Sequence, residues 1–225
     1  MKRRYKNDIE RYGSDILKSE ELQHAYDQTH HTWSTVGEHT LRVAAASLEE
    51  IESTANYRVK REKYYVWKLL EYAFNDALGI DIQDMAIKKE DSGKWSSDRC
   101  HFSLSHCDGV VAVAVSDEPV GIDVEPSSYT VRPALAEKIL SENEKAGYLS
   151  LPDDGRGVFL LRCWTAKESI FKMRGEKVFS PHTIDTLSIP HITRDLSVAD
   201  RRIILSVAPA NDIYIKIVSD LNSIQ

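Results

Sequence analysis

The chain has 225 residues, 29 of them basic and 35 acidic, and this net charge of −6 argues against a protein that coats nucleic acid. Its three cysteines are too few and too odd in number for a disulfide framework. No run approaches the roughly 20 apolar residues of a membrane span and no secretory signal peptide opens the sequence, so we expect a cytoplasmic protein without a membrane partner.

The first part of the chain predicts an extension followed by strands around one strong helix. Residues 1–36 are polar, and we interpret them as a weakly anchored, partly helical N-terminal extension. A short acidic helix is expected to begin near Leu48. A longer helix is predicted over 57–80, because apolar residues recur there at helical spacing and a glycine ends the pattern. Strands are predicted at 39–48, 100–106 and 110–125, with a turn-rich loop at 90–98.

The second part of the chain predicts helices first and strands afterwards. The predicted helices cover 134–140, 141–151 and 158–175, with a loop at 152–157. The predicted strands cover 183–189, 201–209 and 212–219.

The two longest predicted helices share a weak internal echo. Trp67, Glu71 and Phe74 in the first match the spacing of Trp164, Glu168 and Phe171 in the second. Coincidence is the default explanation for three matched positions. If the echo is a repeat, the fold is α+β, with two similar halves that each pack a helix on an antiparallel sheet.

The stretch "GIDVE" (121–125) places two carboxylates on one face of a predicted strand. Side chains alternate along a strand, so Asp123 and Glu125 point the same way while Ile122 and Val124 face the core. Two solvated residues at a strand end would explain the pair without any function. Neighbouring anions are also tolerable when a cation lies between them, and Mg²⁺ prefers such oxygen ligands.

The stretch "WTAKESIFK" (164–172) offers a third carboxylate and two cations. Glu168 and Lys172 are four residues apart and therefore share a helix face. A surface ion pair worth a few tenths of a kcal/mol is the simpler interpretation. The functional interpretation makes Glu168 a third metal ligand and uses Lys167 and Lys172 to neutralise phosphate oxygens.

Two further stretches contain polar side chains with alternative roles. His106, after Ser103 and Ser105 in "FSLSHCDG" (102–109), could simply bond the backbone at a strand end. A zinc site is disfavoured there, because neighbouring Cys and His side chains of a strand point in opposite directions. Ser141 and Glu144 fit a helix capping box, which does not exclude a catalytic role for Glu144.

The order of these motifs resembles one enzyme family. "FSLSHCDG", "GIDVE", "LSENE" (140–144) and "WTAKESIFK" follow one another as in the 4′-phosphopantetheinyl transferases of the larger, surfactin-synthetase-activating (Sfp-like) subfamily. That subfamily shows Gly-Ile-Asp-hydrophobic-Glu and then Trp-x-x-Lys-Glu-(Ser/Ala)-x-x-Lys. The resemblance covers roughly residues 90–178. Gly93-Lys94-Trp95 departs from it, because the family commonly has Gly-Lys-Pro at this point.

The resemblance implies a fold, a division of the chain and a reaction. The fold would be the family's pseudo-twofold monomer, with halves at 37–118 and 119–225 and the active site between them. The reaction would move the 4′-phosphopantetheine arm of coenzyme A to a serine hydroxyl of an apo acyl or peptidyl carrier protein, releasing adenosine 3′,5′-bisphosphate. Such carriers serve fatty acid, polyketide and nonribosomal peptide biosynthesis.

The resemblance also implies roles for individual residues. Asp123, Glu125 and Glu168 would hold Mg²⁺ against the diphosphate of coenzyme A. Lys172 would stabilise or protonate the leaving phosphate, and Glu144 would deprotonate the carrier serine. The residues implied in binding coenzyme A are Ser105, His106, Lys167, Lys172 and Lys94, with Arg58, Lys60, Arg61 and Lys63 as the available basic group for its 3′-phosphate.

Two other functions remain open on the same residues. A module that binds coenzyme A or a carrier protein could keep the fold without turnover. A Mg²⁺-dependent phosphohydrolase could use the same carboxylates and release phosphopantetheine to water without any carrier. The three carboxylates together with Lys172 favour the transferase.

Overall fold

The computed structural model describes residues 41–47, 55–210 and 213–218. The predicted N-terminal extension (1–36) and the helix expected near Leu48 lie outside these ranges. No helix within them combines the length and apolar character that crossing a membrane requires.

The described residues form nine strands and four helices. The strands are β1 (Leu41–Ser47), β2 (Lys88–Lys89), β3 (Trp95–Ser96), β4 (His101–Cys107), β5 (Val110–Ser116), β6 (Gly121–Pro126), β7 (Ile192–Val198), β8 (Arg201–Ala208) and β9 (Ile213–Val218). The helices are α1 (Ala55–Leu78), α2 (Ala136–Ile139), α3 (Glu142–Ser150) and α4 (Asp153–Arg174). Short 3₁₀ turns lie at Ile82–Asp84, Pro133–Leu135 and Pro181–Thr183.

The sheets repeat one topology. The first has the order β4-β5-β1-β9 and the second the order β6-β8-β7, while β2 and β3 form a separate hairpin. In each half a strand, a helix and two strands follow one another, and the last strand pairs antiparallel with both others. The predicted fold class, two similar α+β halves, is confirmed. The division at 37–118 and 119–225 stays a prediction, because β9 pairs parallel with β1 of the first sheet.

Strand β5 is buried on both faces, which explains its uninterrupted apolar sequence. Val111, Val113 and Val115 pack into the core that α1 covers. Val110, Ala112 and Ala114 pack into a second core, which also contains Ile122, Val124, Ile203, Leu205 and Val207 of the second sheet. The two sheets are therefore joined through a shared apolar layer.

Helix α4 crosses β6 at Gly121, where only a glycine fits. A Cβ atom there would lie 1.9 Å from the carbonyl oxygen of Ser169 and 2.4 Å from the backbone nitrogen of Met173. The helix ends at Gly175, whose φ of 64° is left-handed and therefore suits glycine. This close crossing sets the last two turns of the helix, with Glu168 and Lys172, beside the polar face of β6.

Three sequence predictions were wrong in the second half. The predicted loop at 152–157 is the start of α4, which Pro152 precedes and whose Gly157 packs closely on Thr130. The predicted strand at 183–189 is a turn region that follows a 3₁₀ turn. Strand β7 was missed because Arg194 and Asp195 interrupt its apolar pattern on an exposed edge.

Candidate active site

Asp123 is the centre of the polar face between β6 and α4. Its side chain is almost fully buried, and its Oδ1 accepts hydrogen bonds from Lys172 Nζ at 2.6 Å and from Ser105 Oγ at 2.9 Å. Its Oδ2 is buried and has no hydrogen-bond partner among the described residues. A buried carboxylate oxygen without a partner is costly, so this atom is ready to accept a ligand.

Glu125 and Glu168 bring two more carboxylates to Asp123. Burial, and then the charge of Asp123, raise the pKa of Glu125 to about 7, although Lys172 and a hydrogen bond from Trp164 oppose the shift. Burial and Asp123 likewise raise the pKa of Glu168 to about 7, against the opposing charge of Lys172. The sequence prediction that these three side chains meet on one face agrees with this geometry.

Lys172 is the cation among these carboxylates. Its Nζ lies 2.6 Å from Asp123 and 3.7 Å from Glu168 Oε2. Burial disfavours the ammonium, but the charges of Asp123 and Glu168 outweigh burial and raise the pKa of Lys172. One ammonium against three carboxylates leaves an excess of negative charge.

That donor set suits a hard divalent cation in its chemistry. Oxygen ligands, an excess of negative charge and the unpartnered Oδ2 of Asp123 all match what Mg²⁺ prefers. In the described part of the chain, however, no group of three or more His, Cys, Asp or Glu side chains is closed into a ready metal cage. The ammonium of Lys172 bonds the other oxygen of Asp123.

Strand β4 fixes the position of Asp123 from the other half. Ser105 Oγ accepts a hydrogen bond from the backbone nitrogen of Val124 at 3.3 Å, and Ser103 Oγ accepts one from Ile122 at 3.1 Å. Lys172 Nζ also lies within 3.2 Å of Ser105 Oγ. Ser105 therefore connects the two halves and orients Asp123.

His106 contacts a carboxylate that the sequence motifs did not indicate. Its Nδ1 lies 2.9 Å from Glu62 Oε2 on α1. The His106 side chain is about a third exposed, whereas that of Glu62 is almost fully buried. One signal was available: Glu62 is followed at helical spacing by Val66, Leu69 and Ala73, so it occupies a core position of α1.

Glu144 and Lys167 form a separate, closed pair. Glu144 Oε2 lies 2.6 Å from Lys167 Nζ, with side chains 1% and 0% exposed. Glu144 also accepts hydrogen bonds from Ser141 N, Thr186 N and Thr186 Oγ1, and Lys167 also donates to the carbonyl oxygens of Pro181 and Ile184. Burial opposes ionisation, but these bonds outweigh it and lower the pKa of Glu144.

This geometry argues against two predicted roles. A base must reach the proton that it removes, and Glu144 has both oxygens occupied and almost no exposed surface. Lys167 is fully buried and donates within the protein, so it does not reach a phosphate. Both residues instead tie the 181–186 turn to α3 and α4.

Among the remaining predicted residues, Lys94 has a defined contact. Its Nζ donates to the carbonyl oxygens of Val120 at 3.2 Å and Met173 at 3.1 Å, and burial lowers the pKa of its ammonium. Lys63 is exposed on α1. Arg58, Lys60 and Arg61 lie in the same helix, but their side chains lie outside the described part of the structure.

A cavity of ≈ 280 Å³ lies beside this site. Lys94, Trp95, Phe102 and Ser103 line it from the first half, and Phe171 and Lys172 line it from α4. A larger cavity of ≈ 620 Å³ lies between the β4–β5 turn and the β7–β8 hairpin, and none of the predicted site residues lines it. The smaller cavity is therefore the one that combines aromatic side chains with the lysine of the carboxylate site.

Comparison with known proteins points to one superfamily. Residues 119–208 match the family model of the 4′-phosphopantetheinyl transferase superfamily. The chain is 28% identical over 116 residues to 4′-phosphopantetheinyl transferase psf-1 of Bacillus pumilus, which covers 49% of this chain and 48% of that protein. It is 33% identical over 105 residues to 4′-phosphopantetheinyl transferase gsp of Aneurinibacillus migulanus, covering 46% and 44%.

A third relative gives the same result. The chain is 28% identical over 113 residues to 4′-phosphopantetheinyl transferase Sfp of Bacillus subtilis (strain 168), covering 49% of each chain. The chain thus spans about half the length of these relatives. The segment 119–208 contains Asp123, Glu125, Glu168 and Lys172. Residues 119–208 are thus similar to the 4′-phosphopantetheinyl transferase superfamily, and the predicted likeness of the chain to Sfp-like transferases is confirmed.

Proposed function

We propose that this protein transfers the 4′-phosphopantetheine arm of coenzyme A to a serine hydroxyl of an apo acyl or peptidyl carrier protein, in a Mg²⁺-dependent reaction. The observation that carries the proposal is the unpartnered, buried Oδ2 of Asp123 between two further carboxylates and beside Lys172. The superfamily match of the segment that contains this site supports the choice of reaction.

In the proposed reaction, the serine oxygen forms a bond to the phosphorus nearest the pantetheine, and the bridging P–O bond of the diphosphate breaks. Adenosine 3′,5′-bisphosphate leaves with that bridging oxygen, and the serine proton passes to solvent water. Asp123, Glu125 and Glu168 would hold Mg²⁺, which supplies positive charge against the diphosphate when bound. Lys172 keeps its proton, because its carboxylate neighbours raise its pKa. Its Nζ therefore donates to a phosphate oxygen as negative charge develops on the leaving group.

The contacts to coenzyme A are proposed for the residues around this centre. His106 presents its exposed ring edge to a phosphate, while Ser105 acts by orienting Asp123. Arg58, Lys60, Arg61 and Lys63 are the basic group proposed for the 3′-phosphate. Lys94 is a weaker candidate for contacting coenzyme A, because its ammonium already donates to two carbonyl oxygens.

The wider setting is also proposed. The partner is an apo carrier protein or carrier domain, and the transferase acts as a cytoplasmic monomer without nucleic acid or membrane. Its active site lies between the two halves, since Ser105 and Asp123 come from β4 and β6. The buried pair of Glu144 and Lys167 has no role in the proposed reaction. It stabilises the turn that flanks α4.

The proposal is tested by the intact mass of apo acyl and apo peptidyl carrier domains after incubation with the protein, coenzyme A and Mg²⁺. We expect the carrier to gain one phosphopantetheine, and the gain to disappear with EDTA. An unmodified carrier together with bound coenzyme A would instead indicate the binding module. Release of phosphopantetheine without any carrier would indicate the phosphohydrolase.

A further inference from the structure

Glu62 is a buried carboxylate that no motif of the sequence includes. It lies on α1 with 3% of its surface exposed. Its Oε1 accepts a hydrogen bond from the backbone nitrogen of Gly109 at 2.7 Å, and its Oε2 lies 2.9 Å from His106 Nδ1. One carboxylate therefore holds both the ring of His106 and the turn that follows β4.

The turn itself is held from two sides. Asp108 and Gly109 both have positive φ, at 38° and 81°, which is the geometry of a tight two-residue hairpin turn. Asp-Gly is a favoured pair for this turn type. Glu62 fixes the turn from α1 through the Gly109 N–H, and Arg201 donates to the Asp108 carbonyl oxygen at 2.7 Å from the other side.

The contact also decides which ring nitrogen of His106 carries a proton. A carboxylate accepts hydrogen bonds and does not donate them, so Nδ1 must be the donor toward Glu62. The opposite ring nitrogen, Nε2, is then turned away from Glu62. Only a doubly protonated ring carries an N–H at both nitrogens, so donation from Nε2 to an anion uses that form.

Glu62 also lies close to the carboxylate site. The thiol of Cys107 is surrounded by the carboxylates of Glu125, Asp123, Glu62 and Asp108, which after burial raise its pKa. The Glu62–His106 pair and the Asp123 centre therefore flank the same side chain. His106 follows directly on Ser105, which bonds Asp123, but successive side chains of a strand point to opposite faces, so the ring lies on the α1 side of β4.

We propose that Glu62 is a positioning residue, which accepts the hydrogen bond from Nδ1 of His106 and so directs the Nε2–H of the doubly protonated ring toward a phosphate group of coenzyme A. This inference rests on the proposed transferase function, because that function supplies the phosphate ligand. Glu62 itself does not touch coenzyme A; it acts through the orientation and charge of the imidazole.

The test uses Glu62→Gln, because glutamine has the same shape. Its carbonyl oxygen still accepts from Gly109, but its amide nitrogen faces Nδ1 and requires Nδ1 to be an acceptor. The neutral ring then keeps an Nε2–H, but its bond to the phosphate is no longer charge-assisted. We therefore expect the Kd and KM for coenzyme A to rise about tenfold, with kcat retained. Glu71→Gln on the same helix, which removes the partly exposed ion pair with Lys68, should leave both unchanged.

Two readouts separate positioning from simple loss of stability. The ¹⁵N chemical shifts of the His106 ring report which nitrogen carries the proton, and their signals are assigned by their absence in His106→Ala. In Glu62→Gln they should show the proton on Nε2 instead of Nδ1. In a His106→Ala background, Glu62→Gln should add nothing to the Kd for coenzyme A. An unchanged tautomer would overturn the inference. So would a double variant whose Kd for coenzyme A rises by the product of the two single fold-changes.

The outcomes also separate this inference from the proposed function. Coenzyme A affinity is measured by calorimetry and needs no turnover. Wild-type protein that binds coenzyme A but transfers nothing would overturn the proposed function alone, and the variants would still decide the role of Glu62. Wild-type protein that binds no coenzyme A would overturn both.

Discussion

Two lysines of helix α4 bond carboxylates at the same distance, yet the two pairs differ in almost everything else. Lys167 lies 2.6 Å from Glu144, and Lys172 lies 2.6 Å from Asp123. The first pair is 0% and 1% exposed and every charged oxygen in it has a partner. The second is partly open, with Lys172 27% exposed and Asp123 Oδ2 without a hydrogen-bond partner in the described part of the chain.

The difference teaches that a short ion-pair distance does not identify a functional pair. What distinguishes the two is whether hydrogen-bonding capacity is left over for a ligand. Glu144 is fully used by Lys167, Ser141 and Thr186. Asp123 shares its cation with Glu168, and one of its oxygens has no hydrogen-bond partner among the described residues, so a bound substrate or cation would gain an interaction there.

Removing the cation of the closed pair should have the largest effect. Lys167→Met leaves Glu144 as a buried charge without its cation, and we expect the free energy of unfolding to fall by about 3–5 kcal/mol. Lys172→Met is the matched control on the same helix and should cost less, because Lys172 is partly solvated. Denaturant unfolding measures both, and equal losses would erase the distinction between the pairs.

Removing the cation of the open pair should instead affect turnover. Lys172→Met takes away the ammonium next to the leaving phosphate, so we expect the transfer rate to fall by about 10²–10³-fold. Lys172→Arg keeps the charge and should retain part of the rate. A Lys172→Met protein that transfers at the wild-type rate would assign Lys172 a structural role as well.

The closed pair should also respond to pH in a defined direction. The pKa of Glu144 is lowered in the folded protein from its ordinary value of 4.5, so its ionised form favours folding. The difference in unfolding free energy between wild type and Glu144→Gln should therefore be full above pH about 4.5. It should shrink as the pH falls through the lowered folded-state pKa. Denaturant titrations of both proteins across this range measure the difference, and a gap that widens in acid would contradict the assignment.

Lys94 is a third lysine to compare with Lys167 and Lys172, and its substitution should have the smallest effect on stability and function. Its ammonium donates to two backbone carbonyls, as that of Lys167 does, but in a partly exposed hairpin. We expect Lys94→Met to lower the free energy of unfolding by about 1 kcal/mol and to leave the Kd for coenzyme A nearly unchanged. A tenfold loss of coenzyme A affinity would restore Lys94 to the binding site that the family resemblance implies.

The sequence predicts the open pair better than the closed one, and the reason is local geometry. Strand alternation places Asp123 and Glu125 on one face, and helical spacing places Glu168 beside Lys172. The bonds that close the other pair join Glu144 to Thr186 and Lys167 to Ile184, and they depend on how a distant turn folds onto α4. Spacing along a sequence contains no information on such contacts.

The fold shows the same difference between features with a strong local sequence pattern and features without one. Buried apolar strands such as β5 and the long helices α1 and α4 were predicted because their patterns are strong. Strand β7 was missed, since an edge strand with charged side chains lacks a period-two pattern. The contact between Glu62 and His106 also joins distant residues, and only the core position of Glu62 on α1 indicated that its charge needs a partner.

The most direct test of the account compares Asp123→Asn with Glu144→Gln in the intact-mass transfer assay, at a temperature at which circular dichroism shows both variants folded. The account predicts that Asp123→Asn loses at least about 100-fold in transfer rate, whereas folded Glu144→Gln transfers at nearly the wild-type rate. A folded Glu144→Gln protein that fails to modify the carrier, beside an active Asp123→Asn protein, would contradict it and place the catalytic carboxylate in the closed pair.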